Sequence, residues 1–453
     1  MLRPFLFAVT VTTLAGFASE AFADWARFRG PNGTGVAESG APTEFGENKN
    51  LQWKLELPGR GVSSPIVVGD KVFVTCYSGY GMGRDDVGQI EDLKRHLVCV
   101  SRVTGEMLWT KTVPVKLPED PYRPPGVTAH GYASHTPASD GESVFAFFGK
   151  SGVYAFDLDG KELWNQSVGK ESGRMAWGSA ASPIMYENFV IVNASDEGEA
   201  IVWLDKHTGE EKHRAEAAGL ANSWSTPVLM KSSKGMELVI SVPGEIWGLN
   251  AANGKFRWFS QGTGDNSQIS VLAGDDVAFL TGGRGGEAIA VRAGGKDDVN
   301  ETNVVWKGRA AGRYATPVLH EGHLFTVNGI VVSCFEADSG KRVYQKRLTS
   351  GESVEDNEAG GGQRRGGGRG GFGGRGGGFG GTQDTASPVL ADGKIYITTG
   401  SGTVYVIAAK PEYELLATNN MTFDASGFGG TPAISDGRFF MRSNTHLYCV
   451  GEN

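Results

Sequence analysis

Apolar and polar residues alternate in four short bursts across residues 314–348. A Thr316-Pro317 pair opens the first burst, and His320-Glu321-Gly322-His323 turns the chain back into residues 324–327. Asn328-Gly329 turns it again into residues 330–335, and Asp338-Ser339-Gly340-Lys341 leads into residues 343–348. Alternation bounded by Gly, Asn and Asp is the signature of hairpins, so this stretch is expected to form a four-stranded antiparallel meander. Such a meander cannot cover both of its own faces and demands neighbours of the same kind.

The neighbours are present. A Ser/Thr-Pro pair recurs with Pro65, Pro137, Pro183, Pro227, Pro317, Pro388 and Pro432, and Ser270-Val271 fills the missing slot. The base period is about 45 residues, the length of a single supersecondary unit. Two gaps are longer by roughly 27 residues. Insertions at 78–95 and 114–133 account for the first, and one at 351–382 for the second. Most units carry a tight turn before a strand with a large aromatic: Gly105 before Trp109, Gly160 before Trp164, Gly254 before Trp258. Trp306 follows an enlarged turn, and Tyr344 takes the slot after Gly340.

The last unit, from Thr431, supplies only three strands, while residues 51–57, with Trp53, have no local partner. A deficit at one end and a surplus at the other predict ring closure. The expected fold is all-β: an eight-bladed β-propeller of four-stranded antiparallel blades, closed by the N-terminal strand. An open solenoid would need polar caps, which neither end offers. No Trp-Asp dipeptide marks WD-type blades. Each outer-strand aromatic is expected to clamp its blade to the next, since a buried indole removes about 150–250 Å² from water.

The remaining segments divide simply. Residues 1–23 read as a signal peptide, with Arg3, an apolar run and an Ala21-Phe22-Ala23 cleavage site. The apolar run is short for a membrane anchor, and Phe17 stands where a lipoprotein signal would place Cys. An exported protein, periplasmic or extracellular and not lipid-anchored, is therefore expected. Residues 24–50 form an irregular extension containing Trp25-Ala26-Arg27-Phe28-Arg29-Gly30-Pro31-Asn32-Gly33. The propeller occupies residues 51–453, with a flexible Gly/Arg-rich insertion at 351–382.

Charge and cysteine content narrow the function classes. A net charge of −8 gives no global basic field for nucleic acid. The Gly/Arg tract has the composition of single-strand-binding segments. Its four arginines are offset by Glu352, Glu355, Asp356 and Glu358, so a flexible insertion is expected. Cys99, Cys334 and Cys449 occupy one repeat position and read as small buried residues. Only Cys76 lies where a bridge, to Cys99, is conceivable.

The Ser/Thr-Pro pair, Gly turn, apolar strand ending in Asp or Asn, and Thr/Asn-Gly-Lys/Glu before Trp resemble the quinoprotein-type (PQQ-like) propeller repeat. The opening WARFRGPNGTG is similar to that of a group of secreted bacterial PQQ-like propeller proteins. The resemblance covers nearly the whole chain after residue 23. It implies either a non-catalytic protein-binding scaffold, as in the envelope-assembly protein BamB, or a PQQ-dependent alcohol or sugar dehydrogenase. An extracellular glycan- or peptide-binding module is a third possibility.

The enzyme alternative would need PQQ, calcium and a carboxylate base. The adjacent cysteine pair usual in such dehydrogenases is absent, so neither PQQ nor calcium is expected. Asp196-Glu197-Gly198-Glu199 reads as a solvated turn rather than a calcium loop, and His320 and His323 as an exposed hairpin turn rather than a metal site. The residue three before each Pro slot should face the channel mouth. There Trp224, Gln268 and Tyr314 fall on consecutive blades with Arg313 alongside, a candidate binding patch. No catalytic or metal residue is assigned. The expectation is a monomeric exported scaffold binding envelope or secreted proteins.

Overall fold

The computed structural model describes residues 24–83, 85–264, 269–283, 286–310, 312, 314–348 and 385–452. The expected signal peptide at 1–23 and the insertion at 351–382 lie outside the described residues. Eight sheets, each starting at a Ser/Thr-Pro slot, form an all-β eight-bladed propeller. Blade 1 runs Ile66–Val68, Lys71–Ser78, Lys94–Ser101 and Met107–Pro114 from the axis outwards, and later blades repeat that order. Blade 4 gains a fifth strand, because Asp297–Asp298 of the enlarged turn pairs in parallel with its edge. Among the described residues no helix is long and apolar enough to cross a membrane.

Blade 8 closes as the strand count requires. Its inner strands come from the C-terminus, and Leu51–Glu56 pairs antiparallel with His446–Gly451 as its outermost strand. Trp53 lies opposite Cys449 and donates its indole N–H to the Arg102 carbonyl of blade 1 at 3.0 Å. The ring lies against Gly105, where a Cβ would sit 2.6 Å from the indole. The same contact joins Trp109 to Gly160 and the Leu158 carbonyl, Trp164 to Gly209 and the Lys206 carbonyl, and Trp306 to Gly340 and the Ala337 carbonyl.

This clamp explains the cysteines. The residue opposite each outer aromatic on the third strand is small: Cys449, Cys99, Ala155, Gly248, Ala290 and Cys334. A larger side chain there would meet the indole crossing to the next blade. Blade 3 exchanges the partners, placing Trp203 on the third strand opposite His213, yet Trp203 still reaches Gly254 and the Ala251 carbonyl. In blade 4 Trp258 turns inward and donates to Glu237 Oε2 at 2.8 Å.

All four cysteines are free and buried. The conceivable Cys76–Cys99 bridge does not form. Cys99 is in register with Phe73, three residues from Cys76, so the two thiols lie on opposite faces of the sheet.

The Ser/Thr of each Pro slot forms a second ring at the axis. The backbone N–H of Ser64 donates to Thr136 Oγ1, Thr136 to Ser182, Ser182 to Thr226, and Thr226 to Ser270. Thr316 to Ser387 and Ser387 to Thr431 continue the pattern. Each hydroxyl thus satisfies an N–H of the preceding blade that no strand could reach.

Residues 24–50 are irregular but fully engaged. Trp25 pairs with Val67 of blade 1, and Ala26 accepts from Ser139 of blade 2. Arg27 donates to the Pro227 carbonyl of blade 4, while Arg29 donates to Thr316 and Pro317 of blade 6 and Pro388 of blade 7. Phe45 then packs on Phe439 of blade 8. Gly30 takes φ +66° beneath the Trp25 ring, where a Cβ would clash at 2.6 Å. The segment therefore straps one end of the central channel.

We expect Trp53→Ala to cost about 3–5 kcal/mol, the range for truncating a buried Trp. Deleting residues 51–57 should cost more by exposing the edge of blade 8. Denaturant unfolding checks both; midpoints within experimental error of the parent's would show that closure does not depend on this strand.

Candidate functional site

The strap closes the channel at one end, leaving a blind cavity of about 700 Å³. Phe28 and the Ser/Thr ring line it, and the residues three before each Pro slot line its wall: Val62, Ser134, Ala180, Trp224, Tyr314, Thr385 and Gly429. Of the residues picked from the sequence, Trp224 and Tyr314 face this one lumen. Gln268 and Arg313 lie outside the described residues.

The mouth is shaped by two connections that the repeat pattern does not specify. The insertion between blades 1 and 2 is held by its own small core of Tyr77, Tyr80, Leu93, Val127 and Tyr132, and presents Pro125, Gly126, Ala129 and His130 to the cavity. The link between blades 2 and 3 brings in Met175 and Trp177. Trp177 stacks on Trp224 with centroids 5.5 Å apart and planes 16° from parallel. The Trp224 N–H donates to the Gly178 carbonyl at 2.7 Å and to Asp196 Oδ2 at 3.0 Å, which fixes the ring. His130 Nε2 faces the Trp177 carbonyl at 2.9 Å, so it carries the proton, and burial depresses its pKa and keeps it neutral.

Behind this wall lies a buried polar cluster. The expectation of a solvated turn at Asp196 and Glu197 is wrong: they sit in a single helical turn, Ser195–Gly198, at only 3% and 2% exposure. The loop at 168–180 folds over them, as Gly169 and Gly173 show by their contact with Glu197 and Asp196. Ser179 Oγ donates to Glu197 Oε1, and His135 Nε2 lies 3.0 Å from the same hydroxyl. Two deeply buried ion pairs, Arg95–Glu119 and Lys150–Asp120, stand alongside. A cavity of about 20 Å³ between them is large enough for one water. Asp120 Oδ2, His135 Nδ1 and Glu197 Oε2 have no protein partner and would bind it.

Arg95 and Lys150 are each taken by another carboxylate, so desolvation dominates Asp196 and Glu197. Burial pushes Asp196 up to about 7 and Glu197 up to about 8. Burial, reinforced by the Arg95 charge, depresses His135 to about 3.

A quinone–calcium centre would need oxygen ligands from this lining. Calcium takes six to eight oxygen ligands, usually with several carboxylates. Among the described lining residues Glu287 is the single carboxylate, and it is exposed. Among the described residues no group of three or more His, Cys, Asp or Glu is arranged to hold a metal, His320 and His323 included. The described lining does not fit that centre.

The fold and the cavity define a PQQ-like repeat propeller with one open channel mouth. A family profile described as outer membrane protein assembly factor BamB matches residues 43–175 and 93–346, and the chain belongs to this family. BamB from Moraxella catarrhalis superposes with TM-score 0.54 at 10% identity, over 89% of this chain and 97% of that one. A europium-containing methanol dehydrogenase superposes with TM-score 0.65 at 11% identity, over 95% and 98%. The computationally designed Ika8 protein gives 0.53 at 11%, over 88% and 98%. At such identities the similarity is one of fold. No curated protein sequence matches significantly.

Sequence reasoning missed Trp177, His130 and Phe28 because no repeat position contains them. The Ser/Thr ring was visible, but as a blade marker rather than a channel lining.

The raised carboxyls predict a pH dependence of stability. A carboxyl whose folded pKa exceeds its unfolded one binds its proton more tightly when folded, so its contribution is full below about pH 4 and is lost as pH rises through about 7 to 8. Glu197→Gln keeps the acceptor for Ser179 and removes the titration. Its melting temperature should exceed the parent's at pH 9 and match it at pH 5; an offset constant across that range would contradict the assignment.

Proposed function

We propose that the protein is an exported, non-catalytic binding scaffold of the cell envelope that engages protein partners at the open mouth of its channel. The observation that supports this most is the lining itself. It is built from hydroxyls, backbone and the Trp177–Trp224 stack, with Glu287 the one carboxylate among the described lining residues, and with both ring nitrogens of the lining His130 engaged, by the Trp177 carbonyl and by Ser134 Oγ at 2.6 Å. Aromatic rings held by hydrogen bonds suit recognition, because they bury large area at little entropic cost. Membership of a family named for an outer membrane assembly factor supports the choice of a protein partner. A quinone-dependent dehydrogenase is the competing reading, supported by the fold shared with methanol dehydrogenase.

Two measurements separate the readings. Purified protein incubated with PQQ and calcium should retain no stoichiometric quinone absorbance and show no dye-linked alcohol oxidation; retention with turnover would replace the scaffold by the enzyme. Affinity capture from envelope extract should recover a partner, and Trp224→Ala should weaken that capture by about tenfold or more, the effect of losing an interface hot spot. Unchanged capture by a folded Trp224→Ala protein would place the binding surface elsewhere.

A further inference from the structure

The closed end of the channel carries charge that no acid among the described residues neutralises. Arg27 and Arg29 are 9% and 1% exposed, and neither forms an ion pair among the described residues. Their acceptors are backbone carbonyls alone. Arg29 bonds those of Gly33, Thr34, Thr316, Pro317 and Pro388. Arg27 bonds only that of Pro227, and its Nε has no acceptor. Burial lowers Arg27 to about 10 and Arg29 to about 9, so both remain cationic at neutral pH. Buried charge without a counter-ion is costly.

These cations sit directly behind the cavity floor. Phe28 between them lines the cavity, Arg29 holds the carbonyl of the lining residue Thr316, and Arg27 that of Pro227, next to the lining residue Thr226. The ring above them is made of donors. Each hydroxyl that accepts an N–H from the preceding blade spends a lone pair on it and keeps its own proton. In this lumen a ring of hydroxyls, each with a proton still free to donate, lies over two guanidiniums that have no acidic partner among the described residues. The one carboxylate among the described lining residues, Glu287, is exposed. The carboxyls behind the blade 3 wall, Asp196 and Glu197, are held towards their neutral forms by burial.

We infer that the blind end of the channel binds an anionic oxygen group, a carboxylate or a phosphate, presented by a ligand that enters through the mouth. This rests on the channel being the binding site. The ring hydroxyls would donate to the anion while the two arginines supply the field, an arrangement in which short charge-assisted bonds replace water.

The test compares charged and neutral versions of the same probe by calorimetry at low salt. The probes are an acetylated tripeptide with a free or an amidated C-terminus, succinate or succinamide, and inorganic phosphate. An acid at least about tenfold tighter than its amide supports the inference, as does weakening with added salt. Preference among peptide, succinate and phosphate tells which source carries the group. Equal binding of acid and amide, or no binding of any anion, overturns it. Arg27→Met should weaken the acid if it folds. Ala180→Glu puts a carboxylate on the wall without touching ring or strap. It should weaken the acid by about tenfold or more, while Ala180→Gln stays near the parent. Parent-like binding by Ala180→Glu also overturns the inference. Neutral probes bound in a Trp224-dependent manner, with no preference for the acids, would sink the anion site and leave the channel reading standing.

Discussion

The contact on which this ring depends is an indole laid against a glycine of the next blade, with its N–H on a carbonyl there. It imposes three requirements at once. The glycine must adopt positive φ and lack a Cβ, since a Cβ would enter the ring at 2.6–2.9 Å. The residue behind the indole on the third strand must be small, and the aromatic must carry a donor. Where a blade breaks one requirement it substitutes: blade 3 moves the Trp to the third strand, and blade 4 satisfies Trp258 with Glu237 and adds a strand from the enlarged turn. Blade 6 offers Tyr344, whose hydroxyl has no hydrogen-bond partner among the described residues, and the outer strand of blade 7, Leu415–Asn420, carries no aromatic, so the ring is held by the sum of its interfaces rather than by any one of them.

The N-terminal strap works against the same ring from the axis. Its arginines bridge blades distant in sequence through carbonyls that the inner strands leave unpaired, which stabilises both partners. The channel is blind because the strap's aromatic, Phe28, faces its floor. Two arginines without acids are an expensive way to hold blades together, and that expense is what gives the closed end its electrostatic character.

Above the floor, chemistry and packing diverge. The insertion between blades 1 and 2 and the link between blades 2 and 3 form the mouth and bury a polar cluster of paired and unpaired charges. The pairs, Arg95–Glu119 and Lys150–Asp120, are deeply buried, and Asp120 keeps one oxygen for the small cavity between them. The unpaired acids, Asp196 and Glu197, hold Trp224 and Ser179 in place, so their role is to fix the aromatic wall.

The sequence alone determined the eight blades, the closing strand and the channel-facing positions, because a blade is a local unit whose alternation, turns and aromatic recur at a fixed period. It identified Trp224 and Tyr314 as lumen residues on that basis. Tertiary structure decided the rest. Asp196 and Glu197 looked like a solvated turn, and only the loop from a neighbouring blade buries them. Cys76 and Cys99 lie on adjacent strands, and only the register puts their thiols on opposite faces. Trp25 to Gly35 had no period to read, so its role as a strap could not be legible. The blade carbonyls that its arginines reach are 200 to 359 residues away, and they come together only once the ring has closed.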